Sequence, residues 1–423
     1  MKILIPFSYY HPEQCAGLFV IDDMTETAAK QGIESLIIVP IPTRNVPPGA
    51  TWNRNESLCD GKIQIHRFRM YGEGQNPIFR ALRYFLCEMV QLHYMLWKDY
   101  DVAFIDSTPP IQGLKLPIVR LFRKKPIVYN AQDLFPETMI GTGLAKSGGI
   151  LWKIGMWVSN VTFRHSDRII AISKDIKRCI VARGVPEEKV EVIYNWVDEN
   201  AIVPVSDEDN ELFEEFGISR EKFRVVYAGN LGNAQNIGII VEAAKRMKDN
   251  GNIEFIIFGT GGLEDEIKAT KEKEQLDNLK ILPLQPYERV AKVYGLGNVC
   301  IVACKAGLGG AAMPSKTWSI MSAGRAVLAN FDEGELKEIL EGGSALRHPS
   351  TGSGAAQGPQ PCGVFTKADD LEGFVEAIEE LSQQPERCAE MGRNGRQFIL
   401  ENLTREVGTR KYVEVIRQVA RKS

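Results

Sequence analysis

The sequence predicts an α/β chain made of two doubly wound, Rossmann-like domains. Apolar runs of strand length alternate with longer helical patterns through most of the chain, as in parallel sheets covered by helices. A second series of this kind starts after the acidic, loop-like stretch 206–210, and 423 residues suffice for two or three domains. We therefore predict an N-terminal domain over 1–203 and a C-terminal domain over 204–404.

The first half opens on the apolar run 3–7, which is short for a signal peptide and lacks a small-residue cleavage site. We interpret it as the first buried strand, and the patterns that follow complete one domain. The predicted strands of this half are 2–7, 34–40, 102–106, 126–130, 169–172 and 190–194. Its predicted helices are 17–31, 79–97, 110–122, 149–165 and 174–183.

The second half repeats this alternation. Its charged, helical end at 405–423 is expected to cross back onto the first domain, and the Gly/Ser/Pro-rich stretch 342–361 is expected to be a mobile surface loop. The predicted strands are 223–228, 253–258, 279–282, 299–303 and 326–329. The predicted helices are 236–249, 263–273, 287–296 and 315–323.

Composition excludes several classes of protein. With 51 Lys+Arg against 54 Asp+Glu, the net charge of −3 argues against a nucleic-acid binder, and 44% hydrophobic residues exclude a disordered or collagen-like chain. No window approaches the roughly 20 apolar residues of a spanning helix. The eight cysteines form no paired framework and no zinc-ligand spacing, so we interpret them as free thiols in a reducing cytoplasm.

Ligands of parallel sheets bind where the strands end and helices begin, so the loops after strands deserve most weight. Gly17 opens a helix after the first strand, where it would let a ligand approach the backbone or would simply form a turn. The stretches 228–236 and 259–262 are glycine-rich turns of the second domain. They fit either a phosphate cradle or a tight strand–helix connection. Neither is a Walker loop nor a G-x-G-x-x-G fingerprint.

The most informative stretch is 307–319, in which a small-residue loop leads into Pro314, Ser315 and Lys316. Pro314 fits a helix start, and Ser315 is expected to cap it. Lys316 then stands at a helix N-terminus, where a cation is normally unfavourable. A bound diphosphate would resolve that conflict, whereas the alternative is a solvent-facing lysine.

In the first domain, the stretch 130–137 brings two carboxylates, Asp133 and Glu137, and two amides to the end of a buried strand. Asp133 is a candidate base or hydrogen-bond acceptor for an acceptor hydroxyl, and its alternative role is a helix cap.

The helix at 79–97 is strongly amphipathic. On a helical wheel its polar residues fall within one 140° arc, and with the basic residues near 120–125 this predicts contact with an anionic membrane through 79–125. The alternative is a packed helix with its charged side in solvent. The polar arc consists of Arg80, Arg83, Glu88 and Gln91.

Taken together and in this order, these motifs resemble the family 4 glycosyltransferases, the large retaining GT-B group, along nearly the whole chain. The branch to which the sequence is most similar comprises bacterial O-antigen, colanic-acid and capsule enzymes with "GNLG-x-AQ" and "PSK" signatures. The motifs that carry the resemblance are the Gly17 loop, 133–137, 168–173, 192–198, 229–235, 314–324 and 370–402.

The resemblance implies a GT-B fold, with two domains facing a cleft. It implies transfer of a sugar, with retention, from a UDP- or GDP-sugar in the second domain to a polyprenyl-diphosphate-linked glycan approaching from the first. No metal and no cofactor are expected, and the protein would work at the cytoplasmic face of the inner membrane. Two rival hypotheses are a catalytically silent nucleotide- or glycan-binding scaffold and a GT-B nucleotide-sugar epimerase.

The sequence departs from the family pattern at several positions. The two glutamates of the family's E-x7-E motif align with Ala311 and Ser319, its phosphate-binding Arg and Lys with Asn230 and Gln235, and a histidine with Gln132. The diphosphate charge is therefore expected to fall on Lys316 and the amides of Gly309 and Gly310, with Lys305 a weaker candidate. Glu333 or Glu335 would then replace the missing glutamate at the ribose.

The resemblance thus assigns three groups of residues. The catalytic residues are Asp133 and Lys316, and the acceptor side is His11, Gln132 and Glu137. The donor site is Gly17, Gly229, Asn230, Gln235, Leu284, Gly309, Gly310, Ser315, Lys316, Ser319 and Glu333.

Overall fold

A computed structural model describes residues 1–13, 15, 17–44, 46–72, 76–138, 146–311, 313–342 and 360–421. The expected loop at 342–361 lies, except at its two ends, outside the described residues. The chain divides into two compact units, one comprising Met1–Asn195 with Glu406–Ser423 and the other Trp196–Arg405. The C-terminal helix belongs to the first unit, as the sequence predicts.

Unit 1 is built on an eight-stranded sheet in the order β3-β4-β2-β1-β5-β6-β7-β8, parallel except for the β3–β4 pair. Its strands are β1 (Lys2–Pro6), β2 (Glu34–Pro40), β3 (Asn55–Leu58), β4 (Ile63–Phe68), β5 (Val102–Asp106), β6 (Ile127–Ala131), β7 (Arg168–Ala171) and β8 (Val190–Val192). Its helices are α1 (Leu18–Lys30), α2 (Pro77–Trp97), α3 (Leu116–Arg123), α4 (Ile150–His165) and α5 (Lys174–Ala182), and α14 (Arg405–Arg421) belongs to it from Glu406 onward.

Unit 2 contains a six-stranded parallel sheet in the order β11-β10-β9-β12-β13-β14. Its strands are β9 (Phe223–Asn230), β10 (Ile253–Thr260), β11 (Leu279–Leu282), β12 (Val299–Ala303), β13 (Ala326–Phe331) and β14 (Gly363–Lys367). Its helices are α6 (Leu212–Glu215), α7 (Ile237–Arg246), α8 (Glu264–Glu274), α9 (Val290–Gly295), α10 (Lys316–Ser322), α11 (Glu335–Leu340), α12 (Leu371–Ser382) and α13 (Pro385–Asn402).

The first unit boundary falls between Asn195 and Trp196, whereas the sequence predicts it at 203. The intervening segment belongs to unit 2 because its backbone is already hydrogen-bonded there. Val197 N donates to Leu403 O at 3.2 Å, and the Arg396 guanidinium donates to Glu199 O at 2.8 Å.

Three strands are missing from the sequence prediction, namely β3, β4 and β14. β3 is mostly exposed and polar, so it carries no apolar run. β4 alternates between buried and exposed residues, as half-covered strands do, and a search for continuous apolar runs passes over it. The central strands β5, β6 and β12 are buried throughout, which is why the same search finds them.

Each sheet has one point at which the strand order reverses. It lies between β1 and β5 in unit 1 and between β9 and β12 in unit 2. Loops that leave adjacent strands in opposite directions open a crevice at the carboxyl edge, where doubly wound domains bind their ligands. The residues after β1 and β5, and those after β9 and β12, are therefore placed for binding.

The polar face of helix α2, which both sequence interpretations place at the surface, is mostly buried. Arg83, Glu88 and Gln91 of its polar arc are buried, and only Arg80 of the four is exposed. The reason is a polar cluster inside the unit. Lys115, buried and nine residues after β5, donates to Glu88 Oε2 at 2.7 Å and to Gln91 Oε1 at 2.6 Å.

The apolar side of α2 consequently faces outward. Helices α2, α3 and α4 pack beside one another, and each exposes large apolar side chains. We call this surface the apolar helix face, which consists of Ile78, Phe79, Leu82, Phe85, Leu86, Met89, Ile118, Leu121, Phe122, Ile150, Leu151, Ile154 and Trp157.

The Lys115→Met variant is expected to lower the free energy of unfolding of unit 1 by about 3–5 kcal/mol, because it leaves the Glu88 carboxylate buried without its cation. Urea unfolding followed by tryptophan fluorescence measures this loss. The matched variant Lys153→Met removes an exposed lysine of α4 and should cost no more than about 0.5 kcal/mol. A loss below about 1 kcal/mol for Lys115→Met would contradict the assigned role of the pair.

Candidate functional site

Lys316 is the central residue of the candidate site in unit 2. It begins α10, and its Nζ donates to the Tyr227 hydroxyl at 2.8 Å and lies 4.3 Å from the centroid of the Tyr227 ring. The Tyr227 hydroxyl in turn donates a hydrogen bond to Asn230 O, also at 2.8 Å. No carboxylate in the described ranges pairs with the Lys316 ammonium, so its charge is held by an aromatic ring and a hydroxyl.

Gly229 provides the space that Lys316 occupies. A Cβ built on Gly229 would lie 2.1 Å from the lysine Nζ and 2.4 Å from its Cε, and φ at this residue is +142°. Any side chain would therefore displace the ammonium, and the backbone conformation itself favours glycine. The glycine-rich turn after β9 and the lysine after β12 form one structure at the strand-order reversal.

Burial lowers the pKa of Lys316 from 10.5 to about 8. The charged ammonium loses hydration in this position and has no neighbouring anion that compensates for the loss. An anion bound beside Nζ would favour the charged form and return the pKa toward its ordinary value. The site is thus arranged so that binding of an anion and protonation of Lys316 are coupled.

Two amide side chains lie beside this turn. A Cβ on Gly232 would come within 2.7 Å of Asn230 Nδ2 and 2.8 Å of Gln235 Oε1, so both side chains converge over that glycine. Gln235 Oε1 is buried and has no hydrogen-bond partner in the part of the chain that the structure describes. The structure therefore brings together Gly229, Asn230, Gln235 and Lys316, which are four of the residues that the sequence predicts for the donor site.

The loop before α10 is occupied by an internal contact. Asp332 accepts the amides of Gly307 at 3.0 Å and Gly309 at 2.7 Å, so the Gly309 N–H is already engaged. Gly310 is exposed, with open space where a Cβ would project. The cap expected from Ser315 is not formed, because its helical backbone (φ −58°, ψ −24°) differs from the extended conformation of capping residues.

The remaining predicted donor residues are spread over the surface of unit 2. Glu333 is exposed and lies 3.5 Å from Lys337, whereas Glu335 is fully buried. Leu284 is half exposed, and Ser319, one turn after Ser315, is partly buried. Of the two candidates for the ribose, Glu333 has the accessible carboxylate.

In unit 1, a buried hydrogen-bonded network lies at the carboxyl edge of the sheet. Asn130 donates to Asp106 Oδ1 at 2.9 Å and accepts from the Tyr412 hydroxyl at 2.9 Å. Gln132 and Asn195 exchange amide hydrogen bonds at 2.7 and 3.2 Å. Tyr412 belongs to α14, so the returning helix completes the network from the far end of the chain.

Asp106 is the site residue that sequence reasoning missed. It ends the buried strand β5, and burial raises the pKa of its carboxyl to about 7, with the nearby charge of Asp133 adding to the shift. The sequence contains a signal for it, because Asp106 and Ser107 lie at the end of a buried strand just as the stretch 130–137 does. Ser107 Oγ in fact accepts the Gln132 amide at 3.2 Å.

Asp133 lies next to this network with an exposed side chain. The surrounding recess is dense with protein atoms, and the resulting desolvation raises the pKa of Asp133 above its ordinary value. An exposed carboxylate whose proton affinity is raised is suited to accept a proton from a hydroxyl.

The other residues predicted for the acceptor side are held by local partners. His11 Nε2 lies 2.7 Å from Asp22 Oδ2, and this hydrogen bond raises the pKa of the imidazole. Glu137 forms an ion pair with Arg183. Gly17 is the N-cap of α1, and a Cβ there would make an ordinary contact with Phe7. The space at Gly17 therefore does not require glycine.

No group of three or more His, Cys, Asp or Glu side chains in the described ranges is placed to hold a metal ion. None of the described helices has the length and hydrophobicity needed to cross a membrane.

Comparison with known proteins identifies the two units. Residues 19–201 match the model of Glycosyltransferase Family 4, and residues 208–398 match that of Glycosyl transferases group 1. The chain is 25% identical over 358 residues to the putative colanic acid biosynthesis glycosyl transferase WcaI of Escherichia coli (strain K12), covering 81% of this chain and 86% of that protein.

Solved structures share the fold at low sequence identity. Sucrose-phosphate synthase from Thermosynechococcus elongatus superposes with a TM-score of 0.76 at 14% identity, covering 100% of both chains. Anabaena HepE in complex with UDP-glucose superposes with a TM-score of 0.70 at 16% identity, covering 99% of this chain and 100% of that one. The two matched models and the paired Rossmann-like sheets lead to one conclusion: the chain belongs to the family 4 type of GT-B glycosyltransferases.

Proposed function

We propose that this glycosyltransferase moves a sugar, with retention of configuration, from a nucleoside diphosphate sugar to a lipid-linked glycan during assembly of a bacterial surface polysaccharide. The observation that carries the proposal is the partly buried, desolvated Lys316, whose charge has no counter-ion in the described part of the chain. A donor diphosphate supplies that counter-ion. The related WcaI is named for colanic acid biosynthesis, and HepE was solved with UDP-glucose, which supports this class of donor and pathway.

In the proposed reaction, the bond between the anomeric carbon and the diphosphate oxygen breaks while a bond to the acceptor oxygen forms on the same face of the sugar. Negative charge develops on the leaving diphosphate, and the Lys316 ammonium stabilises it electrostatically. The side chains of Asn230 and Gln235 and the backbone at Gly310 contribute hydrogen bonds to the donor. The mechanism assigns no role to a metal ion, and equal transfer rates with EDTA and with added Mg²⁺ are expected.

The nucleotide is proposed to be uracil- or guanine-based, with Leu284 near the base and Glu333 at the ribose. Ligand binding raises the melting temperature by mass action. Thermal-shift measurements with UDP, GDP and their sugars therefore identify the donor and supply the binding assay for the variants below.

The Lys316→Met variant should lower turnover by about 100-fold and weaken donor binding, because it removes the cation beside the developing charge. Release of the nucleoside diphosphate, coupled to a spectrophotometric assay, measures the effect. Lys273→Met removes an exposed lysine of α8 in the same unit and serves as the matched control, with turnover expected within about twofold of wild type. Wild-type kinetics in Lys316→Met would rule out the assigned role.

We assign the acceptor hydroxyl to Asp133, which takes the proton released as the new glycosidic bond forms. Desolvation raises the pKa of Asp133, so this carboxylate binds a proton more readily than an ordinary aspartate does. Gln132 lies on the same loop, and the network built on Asp106 holds that loop rigidly.

The Asp133→Asn variant should reduce transfer by at least about 100-fold while leaving donor binding nearly unchanged, since the amide keeps the shape but accepts no proton. Parallel measurements of transfer and of nucleotide affinity test this separation. Asp60→Asn is the control. It makes the same change in the turn between β3 and β4, at the amino end of β4 and therefore away from the carboxyl edge, and should alter neither transfer nor nucleotide affinity. Equal losses of transfer and donor affinity in Asp133→Asn would refute the assignment.

A lipid-linked acceptor requires the protein to reach a membrane, and we propose that the apolar helix face provides this contact at the cytoplasmic leaflet. An apolar surface of this extent is unusual on a water-exposed domain. Glu88 is the one acidic residue within α2, α3 and α4, and it is buried, whereas Arg80, Lys153 and Arg164 are exposed. Exposed apolar groups with basic neighbours suit a bilayer that contains anionic lipids.

Replacing Leu82 and Phe85 together by Glu should reduce binding to vesicles containing phosphatidylglycerol by at least about tenfold, because two charges enter the apolar contact. Both side chains are about half exposed, so the fold tolerates the change. Co-sedimentation measures binding, and Leu400→Glu, at an equally exposed leucine of unit 2, is the control. Unchanged sedimentation of the double variant would contradict membrane contact through this face.

A further inference from the structure

Unit 1 contains a groove at the carboxyl edge of its sheet that the reaction described above does not use. Its volume is about 720 Å³. One wall is formed by the residues that follow β2 and β4 and precede the antiparallel strand β3, which together include Trp52, Arg54, Arg69 and Tyr71. The other wall is α2, through Leu86 and Met89. The groove thus lies at the same edge of the same sheet as Asp133.

The groove is cationic at one side. Arg54 and Arg69 are exposed, and neither has a carboxylate partner within the described residues. Arg67 lies beneath them, buried, with its ion pair to Glu56 at 2.8 Å. Its guanidinium also donates to His11 O at 2.6 Å, and its Nε has no partner in the described part of the chain. No acidic side chain among the described residues lines the groove.

The opposite side is apolar and continuous with the surface of α2. Leu86 and Met89 follow Leu82 and Phe85 at a spacing of four residues, so all four lie on one side of the helix. A ligand in the groove therefore meets arginines at one end and, at the other, the apolar helix face. Such a surface matches an amphiphile with a compact anionic head and a long apolar chain.

We propose that this groove binds a lipid whose head group is a phosphate or diphosphate. The arginines Arg54 and Arg69 hold the head, since guanidinium groups form paired hydrogen bonds with phosphate oxygens. Trp52, Leu86 and Met89 contact the first segment of the chain, which continues over α2 into the bilayer. The inference rests on the proposed function and deepens it, because it gives the anchor of the lipid-linked acceptor a defined place.

The position of the groove suits an acceptor. In the sheet, β1 separates β2 from β5, so the loop after β1 lies between the groove and the Asp106 network. That loop is fastened to the groove wall: Glu13 Oε1 accepts the amides of Thr43 and Arg44, both at 2.7 Å, and Arg67 holds His11 O. A sugar attached to a head group at the arginines projects along this edge toward Asp133.

Farnesyl diphosphate is a suitable probe, titrated calorimetrically below its micelle concentration, with inorganic pyrophosphate and farnesol as the separate head and chain. We expect farnesyl diphosphate to bind more tightly than either fragment. The double variant Arg54→Gln/Arg69→Gln should weaken its binding by at least about tenfold, because two charge-assisted contacts are lost. UDP affinity should stay at the wild-type value.

Lys62→Gln/Lys98→Gln is the matched control, since it removes the same amount of charge away from the groove. Lys62 precedes β4 and Lys98 follows α2, and the double variant should change binding less than about twofold. Trp52→Ala should weaken farnesyl diphosphate but leave pyrophosphate unchanged. Two results would overturn the proposal: undiminished binding by the arginine double variant, or pyrophosphate binding as tightly as farnesyl diphosphate. Failure of the glycosyltransferase proposal would be distinguishable, because it would appear as loss of nucleotide binding or of transfer.

Discussion

The contact between the Lys316 ammonium and Gly229 is the constraint on which the candidate site depends. Parallel strands β9 and β12 are neighbours from which the chain leaves in opposite directions, so the loop after one and the helix after the other meet at the carboxyl edge. Only a glycine leaves room for the lysine there, and Tyr227 holds the amine without neutralising it. The cost of burying an unpaired charge is offset when an anion binds, which is the behaviour required of a diphosphate site.

Unit 1 uses the same architecture for a different purpose. The network at its carboxyl edge consists of amides, a tyrosine from α14 and a carboxyl whose pKa is raised to about 7. Asp133, the proposed proton acceptor, lies close enough to this network to raise the pKa of Asp106. The exposed arginines Arg54 and Arg69 lie farther along the same edge. The two sheets thus divide the proposed reaction, with charge stabilisation in unit 2 and proton acceptance in unit 1.

The sequence predicts the two domains, the central strands and the place of Lys316 at a helix start, because buried strands and helix starts leave local signals. It does not predict β3 and β4, because their polar or alternating residues form no continuous apolar run. The groove beside the loops of these strands could therefore not be predicted either. The orientation of α2 was also unpredictable, since helical periodicity shows that two faces differ but not which one is buried. The buried face is determined by Lys115, a residue outside the helix, whose buried ammonium donates hydrogen bonds to Glu88 and Gln91.

The coupling between diphosphate binding and protonation of Lys316 is tested most directly by calorimetric titration of UDP or GDP at about pH 9, in buffers of different ionisation enthalpy. In the free protein the pKa of Lys316 is about 8, so the lysine is mostly neutral at pH 9. Binding of the diphosphate should raise this pKa, and the complex should therefore take up nearly one proton. Affinity should accordingly fall as the pH rises above 8. Lys316→Arg, which stays charged, should bind without proton uptake. Binding of the nucleotide to the wild-type protein with no proton uptake would contradict the account.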